Sequence, residues 1–214
     1  MRYAVPDVPA GRWQESELEV EKSRFITWIC HAPDTTAFAA MLAEARRTHP
    51  NASHHCSAFI AGPPGEQTAI GFSDDGEPGG TAGRPMFQVL EGAGLGQVGC
   101  VVTRYFGGTK LGTGGLARAY SRAVAEGLEA LPRRAVVERT PLRLRVDFAG
   151  EAEARAWLAE QDVPVEQADY GADGVDLTVG WPSDAPDDLS ALEARLRGRL
   201  ARLDDRPHHD ERRP

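Results

Sequence analysis

The chain has 214 residues, with 24 Lys and Arg against 32 Asp and Glu for a formal charge of -8, and 41% of it is apolar. That length allows one large domain or two small ones, and the balance is that of an ordinary globular protein, not of one that coats nucleic acid without selectivity. No run reaches the ~18 apolar residues of a membrane span, and the N-terminal "MRYAVPDVPAGRW" lacks the apolar stretch of a secretory signal, so a cytoplasmic location is expected.

"ELEVEKSRFITWICHA" begins with alternation and turns largely apolar, predicting one or two strands with Glu17 and Glu19 toward water and Leu18 and Val20 inward. "DTTAFAAMLAEARRTHP" reads as a helix that Asp34 caps, with Phe38, Leu42 and Ala45 as its apolar stripe and Pro50 as its stop. "SHHCSAFIAG" is a strand. "GFSDDGEPGGTAGRP" holds too much Gly, Asp and Pro for regular structure and is expected to be a loop. "PMFQVLEGA" suits a short helix with Pro85 in its first turn. "QVGCVVTRYF" is a continuous β-branched run, hence a buried central strand. Beyond it a helix is expected through "GLARAYSRAVAEGLEAL", with Leu116, Tyr120, Val124, Leu128 and Leu131 on one face.

A second series follows. "RTPLRLRVDFAG" alternates as a strand, "EAEARAWLAEQ" is a helix, and "VPVEQADY" and "VDLTVGW" are strands around the turn "GADG". "APDDLSALEARLRGRLARL" closes the series as a helix with Leu189, Leu192, Leu196, Leu200 and Leu203 as its seam. This βαββα order is an α+β unit with helices on one face of an antiparallel sheet. Charge shifts with pattern: residues 1–140 carry 14 cations and 15 acids, whereas 141–214 carry 10 and 17. The boundary is placed at 136/137, with domains 1–136 and 137–205, and the polar 206–214 is read as a disordered tail. Any anion site belongs in the near-neutral first part. Cys30, Cys56 and Cys100 are an odd number of well-separated cysteines in apolar runs, and read as buried thiols.

Three clusters carry candidate chemistry. "RYFGGTKLGTGGLARAY" (104–120) places Gly107, Gly108, Gly112, Gly114 and Gly115 between a strand and a helix, with Arg104, Lys110 and Arg118 as full positive charges. Helix-start amides and close backbone approach can hold an anion. The same glycines also suit a plain tight turn, and neither a Walker loop nor a dinucleotide fingerprint is present. Asp74, Asp75 and Glu77 could hold Mg²⁺ or move protons, or they could be a solvated turn. His54 and Cys56 share a strand face, with His55 opposite. They are too few for a zinc site, so cleft or core packing is the plainer reading. No cofactor follows from these residues, and no catalytic group is assigned.

Taken together, "EVEKSRF" (19–25), "SHHCSAF" (53–59), "DDGEPGGTAGRP" (74–85) and "VVTRYFGGTKLGTGGLARAY" (101–120) closely resemble, in order, the motifs of the YigZ/IMPACT family. His55 departs from the family's more varied, often Asn-like position. The resemblance implies two α+β domains. The first is similar to a small-subunit ribosomal protein domain and to domain IV of elongation factor G. The second is a ferredoxin-like domain similar to domain V of that factor. Such folds commonly contact RNA, and eukaryotic relatives regulate translation by binding a ribosome-associated kinase activator. The resemblance thus implies a monomeric, translation-associated protein that contacts RNA, the ribosome or a protein partner. Arg24, Arg84, Arg104, Lys110 and Arg118 would meet phosphates, and Tyr105 or Phe106 would stack on a base. Two alternatives stand beside it. One is an enzyme or sensor for a phosphorylated ligand with Mg²⁺ at the same loops, although the GHMP-kinase Gly-Leu-x-Ser-Ser-Ala pattern is missing from "GTGGLARAY". The other is a pure protein–protein module.

Overall fold

The structure is a computed structural model that describes residues 1–203, so the expected tail at 206–214 lies outside the described residues. The chain separates into two compact units, Tyr3–Val136 and Val137 onward, the second joined by Met1–Arg2. The fold is mixed α+β.

β1 (Arg2–Pro6), which belongs to the first unit from Tyr3 onward, pairs with β7 (Arg133–Val137) as a two-stranded ribbon. β2 (Gln14–Val20) and β3 (Ser23–His31) form a hairpin. Its two turn residues, Glu21 and Lys22, hold φ of 48° and 63°, the left-handed geometry whose twist matches the flanking strands. Helix α1 (Thr35–Thr48) starts at Asp34, whose carboxylate accepts the Ala37 amide at 2.8 Å. β4 (His54–Ile60) and β5 (Ile70–Ser73) follow, then α2 (Gly83–Gly92), β6 (Val98–Tyr105) and α3 (Gly112–Glu129). The five-stranded antiparallel sheet runs β2-β3-β6-β4-β5, which puts β6 at its centre as its apolar run requires.

Strand alternation sorts the core into two layers. Phe25 and Ile29 of β3, Cys56 and Ala58 of β4, and Cys100 and Val102 of β6 face α2 and α3. Ile26, Trp28 and Cys30 face the other way, against Phe38, Met41 and Ala45 of α1. Met41 takes the deep position expected of Leu42, which is only partly buried. The loop expected over 71–85 is shorter than read: Gly71–Ser73 completes β5, and Gly83 already opens α2.

The second unit contains β8 (Arg139–Val146), α4 (Glu151–Glu160), β9 (Val165–Tyr170), β10 (Val175–Pro182), α5 (Ser190–Leu196) and β11 (Leu200–Leu203). Its antiparallel sheet runs β11-β8-β10-β9, the ferredoxin-like arrangement. Leu142, Leu144, Leu177 and Val179 pack beneath Trp157, Leu158, Leu192 and Leu196. The single helix expected over 185–203 is thereby corrected. Arg197 turns to φ 50° and Gly198 to φ 84°, which ends α5 and returns the chain as a fourth strand.

Candidate functional site

The two motif loops of the first unit meet around a buried polar cluster. Asp74 stands at the start of α2, where its Oδ1 accepts the Ala82 and Gly83 amides at 2.9 and 2.8 Å and its Oδ2 accepts the Gly80 amide at 2.7 Å. Burial pushes this carboxyl up, but the amides from Gly80, Gly83 and Ala82 outweigh it and hold the group below its ordinary value. Asp75 turns elsewhere, accepting the His55 amide at 2.7 Å and Arg46 Nη2 at 2.8 Å. Glu77 is buried. Its Oε1 accepts Arg104 Nη1 at 2.7 Å and the Tyr120 hydroxyl at 2.8 Å, and its Oε2 lies 3.7 Å from His54 Nε2.

The expectation that Arg104 meets phosphates is therefore corrected. It sits at the end of the central strand on the face shared with Phe25 and Cys56, is 5% exposed, and spends its charge on Glu77. Nη2 donates to Ser23 Oγ at 3.2 Å, and the guanidinium lies 5.5 Å from the centroids of both Phe25 and Phe106. His54 and Cys56 join the same cluster. His54 Nδ1 donates to the Asp75 carbonyl at 2.9 Å, and Cys56 Sγ lies 3.0 Å from the Asp74 carbonyl and 3.2 Å from the Tyr120 hydroxyl. Burial pushes the Cys56 thiol up to about 12 and the Tyr120 hydroxyl far above its ordinary value, so both stay protonated and neither is an activated nucleophile. Asp74, Asp75 and Glu77 point to separate protein donors. Among the described residues no set of three or more His, Cys, Asp or Glu side chains is placed to hold a metal ion.

Above this cluster the glycine-rich loop folds over the hairpin tip. A Cβ on Gly107 would stand 2.1 Å from the Lys22 backbone, so only glycine permits this approach, and the Gly107 amide donates to Ser23 Oγ at 3.1 Å. Gly108 and Gly112 hold φ of 88° and 70°. Gly112, Gly114 and Gly115 form the first turn of α3, which has neither a side-chain cap nor an acidic residue. Lys110 and Arg118 are exposed beside that turn, around a groove that Glu21, Leu111 and Arg122 also line.

The remaining candidates divide. Arg24 is exposed but pairs with Glu17 at 2.8 Å and covers the Tyr105 ring at 5.7 Å, while the Tyr105 hydroxyl bonds His49 Nδ1 at 3.0 Å. Phe106 is half exposed. Arg84 is exposed in the first turn of α2, and no ion pair holds it among the described residues. Lys22, which sequence reasoning did not select, is exposed at the hairpin tip beside Gly107, and no ion pair holds it among the described residues. Its signal was the tip itself, two polar residues between alternating strands.

Residues 21–128 match the family described as the Impact N-terminal domain. The chain is 40% identical over 186 residues to IMPACT family member YigZ of Escherichia coli, covering 86% of this chain and 91% of that protein. It is 48% identical over 132 residues to an IMPACT family member of Haemophilus influenzae, where the match covers 62% of this chain and 64% of that protein. Among solved structures, a hypothetical protein aligns over 94% of this chain and 96% of its own, with a TM-score of 0.67 and 38% identity.

Proposed function

The chain belongs to the IMPACT family, and from that premise we propose that it is a translation-associated binding protein whose glycine-rich loop meets the phosphates of RNA. One observation carries the reading. Among the described residues of the first unit, Lys110 and Arg118 are exposed and unpaired beside a helix start that carries no cap and no acid, with Lys22 on the adjoining hairpin tip. Free amides and unspent cations attract the same ligand, a phosphate oxygen. Arg24, Arg46, Arg47 and Arg122 are not available in this way, because each faces a carboxylate.

The net charge of -8 does not oppose this, since exposed charges beyond about 8 Å are screened at physiological salt. Phe106 offers a half-exposed ring for a base, while the ring of Tyr105 is already covered by Arg24. The test is titration of a fluorescent oligouridylate, and of ribosomes, at two salt concentrations. Binding should weaken with salt, and the double variant Lys110→Ala/Arg118→Ala should weaken it further. Weak, salt-independent binding that the variant leaves unchanged would refute the reading. Arg104→Ala is no test of contact, because it empties a buried ion pair.

A further inference from the structure

We propose that the groove between α1 and the loop following β1, on the α1 side of the sheet, is a binding site for a small aromatic carboxylate. It lies within the first unit, across the sheet from α3, and it stands or falls independently of the RNA reading. The groove encloses about 420 Å³, the size range of small-molecule sites, and its lining is mainly apolar.

Its shape favours a flat ring. Trp13 stacks on Trp28 with centroids 4.1 Å apart and planes 17° from parallel. Trp28 is itself buried and fixed by its indole N–H donating to Glu15 Oε2 at 2.7 Å. Trp13 is thus held by one face and borders the groove as a preset platform. Opposite it α1 presents Ala37 and Ala40, one turn apart, whose small side chains leave a smooth wall, and Met41 adds a polarizable surface. Cys30 and His31 also line the groove: burial pushes the Cys30 thiol up to about 11, so it adds no charge at neutral pH, and His31 Nε2 is engaged with Gln97 Oε1 at 2.7 Å.

Its charge favours an anion. Arg12 lies at the groove and is exposed, and no carboxylate or other acceptor holds its guanidinium among the described residues. The acid lining the same groove, Glu44, is already spent, since its two oxygens accept from Arg47 and one also accepts from Thr48. The unspent charge beside the aromatic platform is therefore positive, and a planar guanidinium matches a carboxylate.

The experiment uses the full chain, ¹⁵N-labelled, titrated with indole-3-propionate and, in parallel, with tryptamine, which carries an ammonium on a chain of similar length. Indole-3-propionate should give saturable shifts clustered on the Trp13 indole and the amides of Gly11 and Ala40. Arg12→Gln should weaken it about tenfold, the order expected of one charge-assisted contact. Ala40→Phe, at an exposed position on α1, should block the groove while the remaining spectrum keeps its native dispersion. The proposal is overturned if tryptamine binds as tightly, if Arg12→Gln leaves the affinity unchanged, or if the shifts scatter without saturating.

Discussion

At the scale of single residues, the acidic motif is a set of three separate structural devices. Glu77 neutralises a buried arginine, so the two must be read together: removing one partner leaves the other's charge stranded, which typically costs about 3–5 kcal/mol. Glu77→Gln keeps the shape and one acceptor for Tyr120 but abandons Arg104. We expect a loss of about 3 kcal/mol in urea unfolding, whereas Glu17→Gln, which breaks the exposed pair with Arg24, should leave the midpoint close to wild type. Asp74 acts through backbone amides, and its carboxyl is held below the ordinary 3.8. A lowered folded value means that its contribution is fully present above the unfolded value and fades as pH falls through the folded one. Asp74→Asn should cost about 1 kcal/mol near neutral pH, and the gap from wild type should begin to narrow only below about pH 4, closing as pH falls through the lower folded-state value. A gap that stays constant to low pH would show that the charge of Asp74 contributes nothing.

At the scale of elements, the start of α3 departs from what stability alone would choose. A first turn of Gly112, Thr113, Gly114 and Gly115 has poor helix propensity and leaves its amides open. If those amides serve an anion, repairing the helix should harm binding. Thr113→Asp supplies a negative charge at the helix start and should add about 0.3–1 kcal/mol of stability, seen as a raised urea midpoint, while RNA affinity falls. Stability and affinity rising together would count against an anion site at this turn. The elements also show what can be read from sequence alone. The central strand, the α3 face and the Asp34 cap followed from periodicity and capping, because those signals are local. The ribbon β1–β7 did not, since "RYAVP" and "RRAVV" are too short to show a period, and they pair across most of the first unit. β11 hid inside a leucine repeat whose spacing continues that of α5, and the decisive feature was the left-handed pair Arg197 and Gly198. At the site, the glycine loop was legible as a motif. The burial of Arg104 was not, because it depends on a partner 27 residues away in a loop without a period. Alternation along β6 could have warned of it, since Arg104 shares the inward face of Val102.

At the scale of the whole molecule, charge is divided along the chain: residues 141–214 hold 17 acids and 10 cations, while the preceding part is nearly neutral. An acidic protein can bind a polyanion only if the unspent cations act locally, and the salt dependence of binding counts them. For single strands, each neutralised phosphate contributes about -0.7 to the slope of log K against log salt. If Lys22, Lys110 and Arg118 each meet one phosphate, the slope should be about -2. Each alanine substitution among the three should then make it shallower by about 0.7. The triple variant should lose nearly all of the salt dependence and keep its thermal midpoint, because all three side chains are exposed and unpaired among the described residues. Arg24→Ala is the matched control: Arg24 is also exposed but already balanced by Glu17, so its removal should leave the slope where it was. A slope that follows total protein charge, moving as much for Arg24→Ala as for Lys110→Ala, would mean that the polyanion senses the diffuse field of the molecule and not a site at the glycine-rich loop.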